Sequence, residues 1–202
     1  MIVNAMTVDV EDYFHVSAFA NAIDPAGWDS HEPRVERNTR IVMDLFGARG
    51  IHGTFFMLGW VAERYPQLVR DIVAAGHEVA SHGCAHDRVG ALTPKTFRED
   101  VRRSKRLLED TSGAAVKGYR APSFSVNEKT FWALAILAEE GYEYSSSVYP
   151  VHHDHYGMPK APRFPFRPLD GFVEFPVTTL RLFGRNLPCG GGGYFRLLPY
   201  RY

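Results

Sequence analysis

The chain has 202 residues, 45% hydrophobic and 23% charged, with 23 basic and 23 acidic side chains in balance. That length suffices for one domain with a substantial buried core, and the composition is that of an ordinary globular protein. Zero formal net charge argues against nucleic acid or an anionic membrane surface as partner, and no apolar run reaches membrane-spanning length.

The first six residues, MIVNAM, lack a basic segment followed by an apolar one. No secretory leader is expected, and a cytoplasmic location is the default. Cys84 and Cys189 stand far apart and make no disulfide framework.

Residues 2–10 form an apolar, β-branched run that predicts a buried strand, and the run ends in acid at Asp9, Glu11 and Asp12. Residues 13–32 are irregular and aromatic. Pro33 sits where a helix can begin, and Val35, Asn38, Val42 and Leu45 follow at helical spacing until Gly47 and Gly50. Residues 51–58 predict a second strand. Residues 67–75 predict a helix with Leu68, Val69, Ile72 and Val73 on one face and Gly76 ending it. A third strand, 77–80, leads into His82 and His86.

Thr93-Pro94 is a helix start, with threonine as cap and proline in the first turn. Phe97, Val101, Ser104 and Leu108 mark its buried stripe, and Arg98, Arg102, Arg103, Lys105 and Arg106 read as a solvated face. Residues 116–120 predict a fourth strand. Asn127 is read as the cap of a helix carrying Phe131, Leu134 and Ala138, and residues 142–147 predict a fifth strand. Alternating strands and helices imply parallel βα units. Active sites of such folds sit where strands end, and Asp9, His82 and Arg120 all fall there. From Pro150 to Pro176 six prolines leave room only for short strands such as 171–177, and the glycine-rich stretch 188–193 lacks a phosphate-loop lysine.

Three constellations could carry chemistry. Asp9 ends an apolar strand, where a carboxylate needs a cation as partner. Alternation along the strand turns Asp9 and Glu11 the same way, with Asp12 opposed unless the turn intervenes. His82 and His86 are four apart, so a helical turn would bring both imidazoles to one ion, with Cys84 facing the core. Nine histidines give about 0.4 such pairs by chance, so order along the chain matters more than the pair itself. Arg120, held extended by the Ala121-Pro122 that follows, could pair with a carboxylate such as Asp9.

In this order the segments Thr7-Val8-Asp9-Val10-Glu11-Asp12, His82-Gly83-Cys84-Ala85-His86 and Arg120-Ala121-Pro122-Ser123-Phe124 resemble the motifs of polysaccharide deacetylases. These form carbohydrate esterase family 4, the NodB-homology domain. Gly53-Thr54-Phe55-Phe56 and Gly76-His77-Glu78-Val79 agree with the strands preceding the histidine motif. Residues 9–14 most resemble the branch found beside exopolysaccharide and exosortase loci.

The resemblance implies an α/β fold, a distorted (β/α) barrel, in one domain over residues 1–202. It implies a divalent metal, zinc first with cobalt or nickel as alternatives, on His82, His86 and a carboxylate, Glu11 or Asp12. Asp9 matches the catalytic base and Arg120 the residue that orients it. Tyr13, Pro122 and Phe124 fall at substrate contacts. The implied substrate is an N-acetylated bacterial polysaccharide or oligosaccharide. Hydrolysis of small ureide-type amides and non-catalytic carbohydrate binding are the alternatives. The family's C-terminal Leu-x-Leu-His motif, which supplies a general acid, has no match, because residues 171–202 contain no histidine. The expectation is a domain incomplete at its C-terminus, or substitution by His152, His153 or His155.

Overall fold

A computed structural model describes residues 4–153 and 156–192. The expectations for residues 2–3, for His155 and for the end of the chain lie outside the described residues. Strands β1 (Thr7–Val10), β2 (Thr54–Met57), β3 (Glu78–Ser81), β4 (Gly118–Tyr119), β5 (Tyr144–Ser145), β6 (Phe166–Leu169) and β7 (Phe172–Glu174) form one sheet, ordered β1-β2-β3-β4-β5-β7-β6. Every pairing is parallel except the hairpin of β6 with β7. Strands β8 (Thr179–Leu182) and β9 (Arg185–Pro188) make a separate antiparallel pair.

Helices α1 (Val35–Gly47), α2 (Gly59–Arg64), α3 (Pro66–Ala74), α4 (Pro94–Ser112) and α5 (Trp132–Glu139) connect the strands. The core is the usual consequence of βα alternation: Phe55, Met57, Leu68, Ile72, Phe97, Val101, Leu108 and Leu134 are fully buried between sheet and helices. α4 begins as its sequence predicts, with Thr93 and Thr96 in a reciprocal capping box and Pro94 in the first turn. Gly113 ends it at φ +69°. No helix among the described residues is long and apolar enough to cross a membrane.

Two local expectations are corrected, and one element was not anticipated. α2 had no sequence signal: it has six residues and no side-chain cap. α5 starts at Trp132, because Asn127 closes the preceding turn instead, its carboxamide oxygen accepting from Lys129 N. The basic face of α4 is paired rather than merely solvated. Arg98 and Arg102 both reach Glu140, and Arg103 reaches Glu63.

The sheet register positions the site. Val10 aligns with Met57, Met57 with Ser81, Ser81 with Tyr119, Tyr119 with Ser145, and Ser145 with Glu174. One row therefore crosses the carboxyl edge of the sheet. Glu11, His82, Arg120 and Ser146 each follow a member of that row by one residue, and Asp9 precedes one. Alternation turns all five away from the row's own side chains.

Candidate active site

Glu11, His82 and His86 come together at this edge, with one ligand atom from each lying within 4.8 Å of the others. His86 Nε2 is 2.8 Å and His82 Nε2 3.8 Å from Glu11 Oε2. The close His86 contact lacks the alignment of a hydrogen bond, and the buried Glu11 Oε2 meets no hydrogen-bond donor among the described residues. Lone pairs aimed at a common point, rather than at one another, are what a cation site requires.

The tautomer agrees. His82 Nδ1 lies 2.8 Å from the Arg120 carbonyl, and a carbonyl only accepts, so Nδ1 carries the hydrogen and Nε2 presents its lone pair. Burial pushes the His82 imidazole below its ordinary pKa despite nearby Asp9 and Glu11, which favours the neutral, ligand-competent form. For Glu11, burial raises the carboxyl pKa. The His86 and His82 imidazoles outweigh it and leave the group below the usual value. The residues present therefore fit a divalent metal.

The histidine pair is not on a helical turn. Gly83 and His86 both adopt left-handed conformations, at φ +76° and +57°, in an irregular loop after β3. The N-terminus of α2 holds this loop. Gly59 N and Trp60 N donate to the carbonyls of Gly83 and Cys84 at 2.8 and 2.9 Å. These are amides that a helix start leaves without partners. From the other side, Asp100 of α4 accepts from Cys84 N at 3.1 Å. Cys84 is half-buried between them. A side chain at Gly59 would meet the Cys84 backbone at 3.0 Å, so only glycine lets helix and loop approach this closely.

Asp12 lies outside this cluster. One of its oxygens accepts from Tyr13 N at 3.1 Å. The other accepts from Arg34 N and Val35 N, at 2.6 and 2.9 Å. It thus caps its own turn and the first amides of α1, which has no cap from Arg34 itself. Of the two carboxylates that the sequence leaves open, the cluster contains Glu11.

Asp9 is engaged by Arg120, whose Nη1 is 2.7 Å from Asp9 Oδ1. Burial raises the Asp9 pKa, but the Arg120 guanidinium, then His82, outweigh it and hold the carboxyl below its ordinary value. The guanidinium is fixed on every side. Nη1 also donates to Thr7 Oγ1 at 3.0 Å, Nε to the Ser146 carbonyl at 3.0 Å and Nη2 to Ser146 Oγ at 2.9 Å. Its Cζ stacks 4.0 Å from the centre of the Phe56 ring. Thr7 and Ser146 carried no recognisable signal in the sequence.

The residues expected at substrate contacts are dispersed around this pair. Tyr13 is exposed, with the Arg34 guanidinium 4.9 Å from its ring centre. Pro122 is buried. Phe124 is half-buried beside Arg120 and, like Ser123, adopts a positive φ. Such conformations are strained outside glycine and gather at functional loops. Of the candidate replacement acids, His152 is exposed, and His153 stacks on Tyr156 at 3.9 Å rather than joining the cluster.

Below His86 lies a cavity of about 100 Å³ whose walls include Phe14, His15, Val16, Trp28 and Ala85. His15 Nδ1 accepts from Asp12 N at 2.8 Å, so its hydrogen sits on Nε2. That N–H and Trp28 Nε1–H are buried and meet no hydrogen-bond acceptor among the described residues.

A mainly parallel α/β sheet with an acid–histidine–histidine cluster at its carboxyl edge defines the class of protein. Residues 27–145, more than half of the chain, match the family described as polysaccharide deacetylase, and residues 146–202 match a domain of unknown function (DUF3473). The chain belongs to the polysaccharide deacetylase family.

It is 31% identical over 113 residues to a peptidoglycan deacetylase of Helicobacter pylori, covering 56% of this chain and 37% of that one. A crystal structure from Mycobacterium smegmatis, assigned to the polysaccharide deacetylases, superposes with a TM-score of 0.66 at 29% identity. It covers 86% of this chain and 58% of that one. A CE4-family pseudoenzyme from Bacillus anthracis shares the fold, with a TM-score of 0.53 at 16% identity over 68% of this chain and 40% of that one. The chain spans less than two thirds of the length of each of these proteins.

Proposed function

We propose that this chain carries a metal-dependent N-deacetylase site that hydrolyses acetamido groups on hexosamine units of a bacterial polysaccharide, with an exopolysaccharide as substrate. The observation that carries the reading is the convergence of Glu11, His82 and His86 beside an Asp9 carboxylate gripped by Arg120. One carboxylate and two imidazoles with open positions suit zinc, and would accept cobalt or nickel. A divalent cation held there would supply Lewis-acid polarisation of the acetyl carbonyl and of water.

The chain's own groups supply the rest. Asp9, kept ionised by Arg120, takes a proton from the attacking water and returns it to the amide nitrogen as the C–N bond breaks, so that acetate and the free amine leave. Arg120, held by three other hydrogen bonds, keeps that carboxylate aimed through a fourth. The cavity of about 100 Å³ beside His86 has room for an acyl group but not for a sugar, so the glycan lies outside it, along Tyr13 and Phe124. The carboxylates, histidines and arginine of the first three motifs are all present, which supports a catalytic site, although the C-terminal histidine motif has no match. β7 belongs to the same sheet as β1 to β5, and this supports one catalytic domain across both matched families.

The test is acetate release from N-acetylglucosamine oligomers and from N-acetylated exopolysaccharide. Release should vanish on chelation, return with zinc and be absent in His82→Ala. A metal-loaded protein that binds these glycans yet releases no acetate would overturn the reading.

A further inference from the structure

Glu174 of β7 is fully buried, yet the chemistry above gives it no task. One of its oxygens accepts from both Ser147 N and Val148 N, each at 2.8 Å. The carbonyl of the preceding Ser146 accepts from Arg120 Nε at 3.0 Å. The Ser146 C=O and the Ser147 N–H belong to one peptide unit. That unit is trans, since the described residues include no cis bonds, so its two polar ends point in opposite directions. Glu174 therefore grips one end of a rigid plane whose other end grips the guanidinium that holds Asp9.

We propose that Glu174 is a positioning residue for the Arg120–Asp9 pair, acting through the Ser146–Ser147 peptide. Its catalytic consequence rests on the deacetylase reading; the structural coupling does not.

Two further contacts tie the same turn to Arg120. Ser147 Oγ accepts from Ala121 N at 2.9 Å, fixing the residue after the arginine. Ser146 Oγ takes the second guanidinium nitrogen at 2.9 Å. Without a carboxyl at 174, two buried amides would lose their acceptor, and the peptide plane could rotate to find another. Rotation by even a few tens of degrees would withdraw the Ser146 carbonyl from Arg120 Nε. Hydrogen bonds in series polarise one another, so the carboxyl also strengthens the carbonyl as an acceptor.

The inference gives the second matched family a role here. The 27–145 match ends within the serine run, and the 146–202 match supplies Ser146, Ser147 and Glu174. In this chain that region forms the rear wall of the candidate active site, with β7 paired to β5 in the register that sets Ser145 opposite Glu174.

The experiment compares the unaltered chain with Glu174→Gln, which keeps an accepting oxygen, and with Glu174→Met, which fills the volume without one. Hydrogen exchange of the Arg120 Nε–H and the Ser147 amide is followed by NMR, alongside metal content, kcat and KM. Both protons should be protected in the unaltered chain and in Glu174→Gln. In Glu174→Met both should exchange at least about tenfold faster at unchanged metal content. kcat should fall about 10–100-fold, with KM held within about twofold.

Rapid exchange of either proton in the unaltered chain overturns the proposal without reference to any variant. So does a folded Glu174→Met whose Arg120 proton stays protected and whose kcat is unchanged. If no form releases acetate, the deacetylase reading fails while the exchange data still decide the coupling.

Discussion

Asp9 and Glu11 stand two residues apart at one strand end, and their neighbours give them different chemistry. Asp9 meets a guanidinium at 2.7 Å, whereas Glu11 meets two imidazoles with no aligned donor. Asp9→Asn should therefore retain metal, and its acetate release should fall about 10²- to 10⁴-fold, as expected for loss of a general base. Parallel metal analysis and kinetics check both halves of that statement. His15 gives a pH prediction. Burial, the largest influence, pushes its imidazole down to about 4, against about 6.5 in the unfolded chain. A depressed pKa means that the unfolded state binds the proton first. The stability contribution is full above about pH 6.5 and is lost as pH falls toward 4. Urea midpoints measured between pH 7 and 4.5 should fall, and His15→Phe should flatten that slope. Asp9, His82, His86 and Arg120 could be singled out in the sequence by the order of their motifs along the chain, and the structure brings them to one sheet edge. The choice between Glu11 and Asp12 depends on the Arg34 and Val35 amides, a contact across more than twenty residues that local alternation does not encode.

At the scale of elements, helix starts organise the site. Asp12 caps α1 from the β1 loop, and the first amides of α2 hold the histidine loop by its carbonyls. α2 escaped the sequence reading because its stabilising partner lies in another loop rather than in a capping side chain. The same blindness assigned His82 and His86 to a helical turn, since four-residue spacing suits both a helix and a tight loop with left-handed residues. The start and buried face of α4 were legible, because its cap, proline and apolar stripe are all local signals. Gly83 carries the sharpest prediction at this scale. It sits at φ +76°, and a Cβ there would lie 3.0 Å from Asp100 Oδ2. Gly83→Ala should cost about 1–2 kcal/mol and weaken metal binding, read by denaturant titration and metal analysis. The Arg98 and Arg102 clamp on Glu140, which lowers that carboxyl to about 2 chiefly through Arg102, predicts a smaller loss. Glu140→Gln should cost about 1 kcal/mol at low salt and less at high salt. The clamp's contribution is present above the unfolded carboxyl value near 4.3 and is lost as pH falls toward 2.

Across the whole molecule, the parallel sheet brings strand ends from four parts of the chain to one edge. The α/β class and the edge on which the site lies were therefore readable from strand–helix alternation alone. After Pro150 the strand expected at 171–177 contains β7, but the proposed part played by Glu174 was not readable, because it acts through a backbone plane rather than a motif. The account's central claim is that Glu11, His82 and His86 hold one divalent metal and that Asp12 does not. The direct measurement is metal stoichiometry on zinc-loaded, buffer-exchanged protein for the unaltered chain, Glu11→Gln, His82→Ala and Asp12→Asn. The unaltered chain and Asp12→Asn should each retain about one ion, with Asp12→Asn about 1–2 kcal/mol less stable, and the other two should retain almost none. Near-stoichiometric zinc in Glu11→Gln and His82→Ala, or its loss only in Asp12→Asn, would contradict the account.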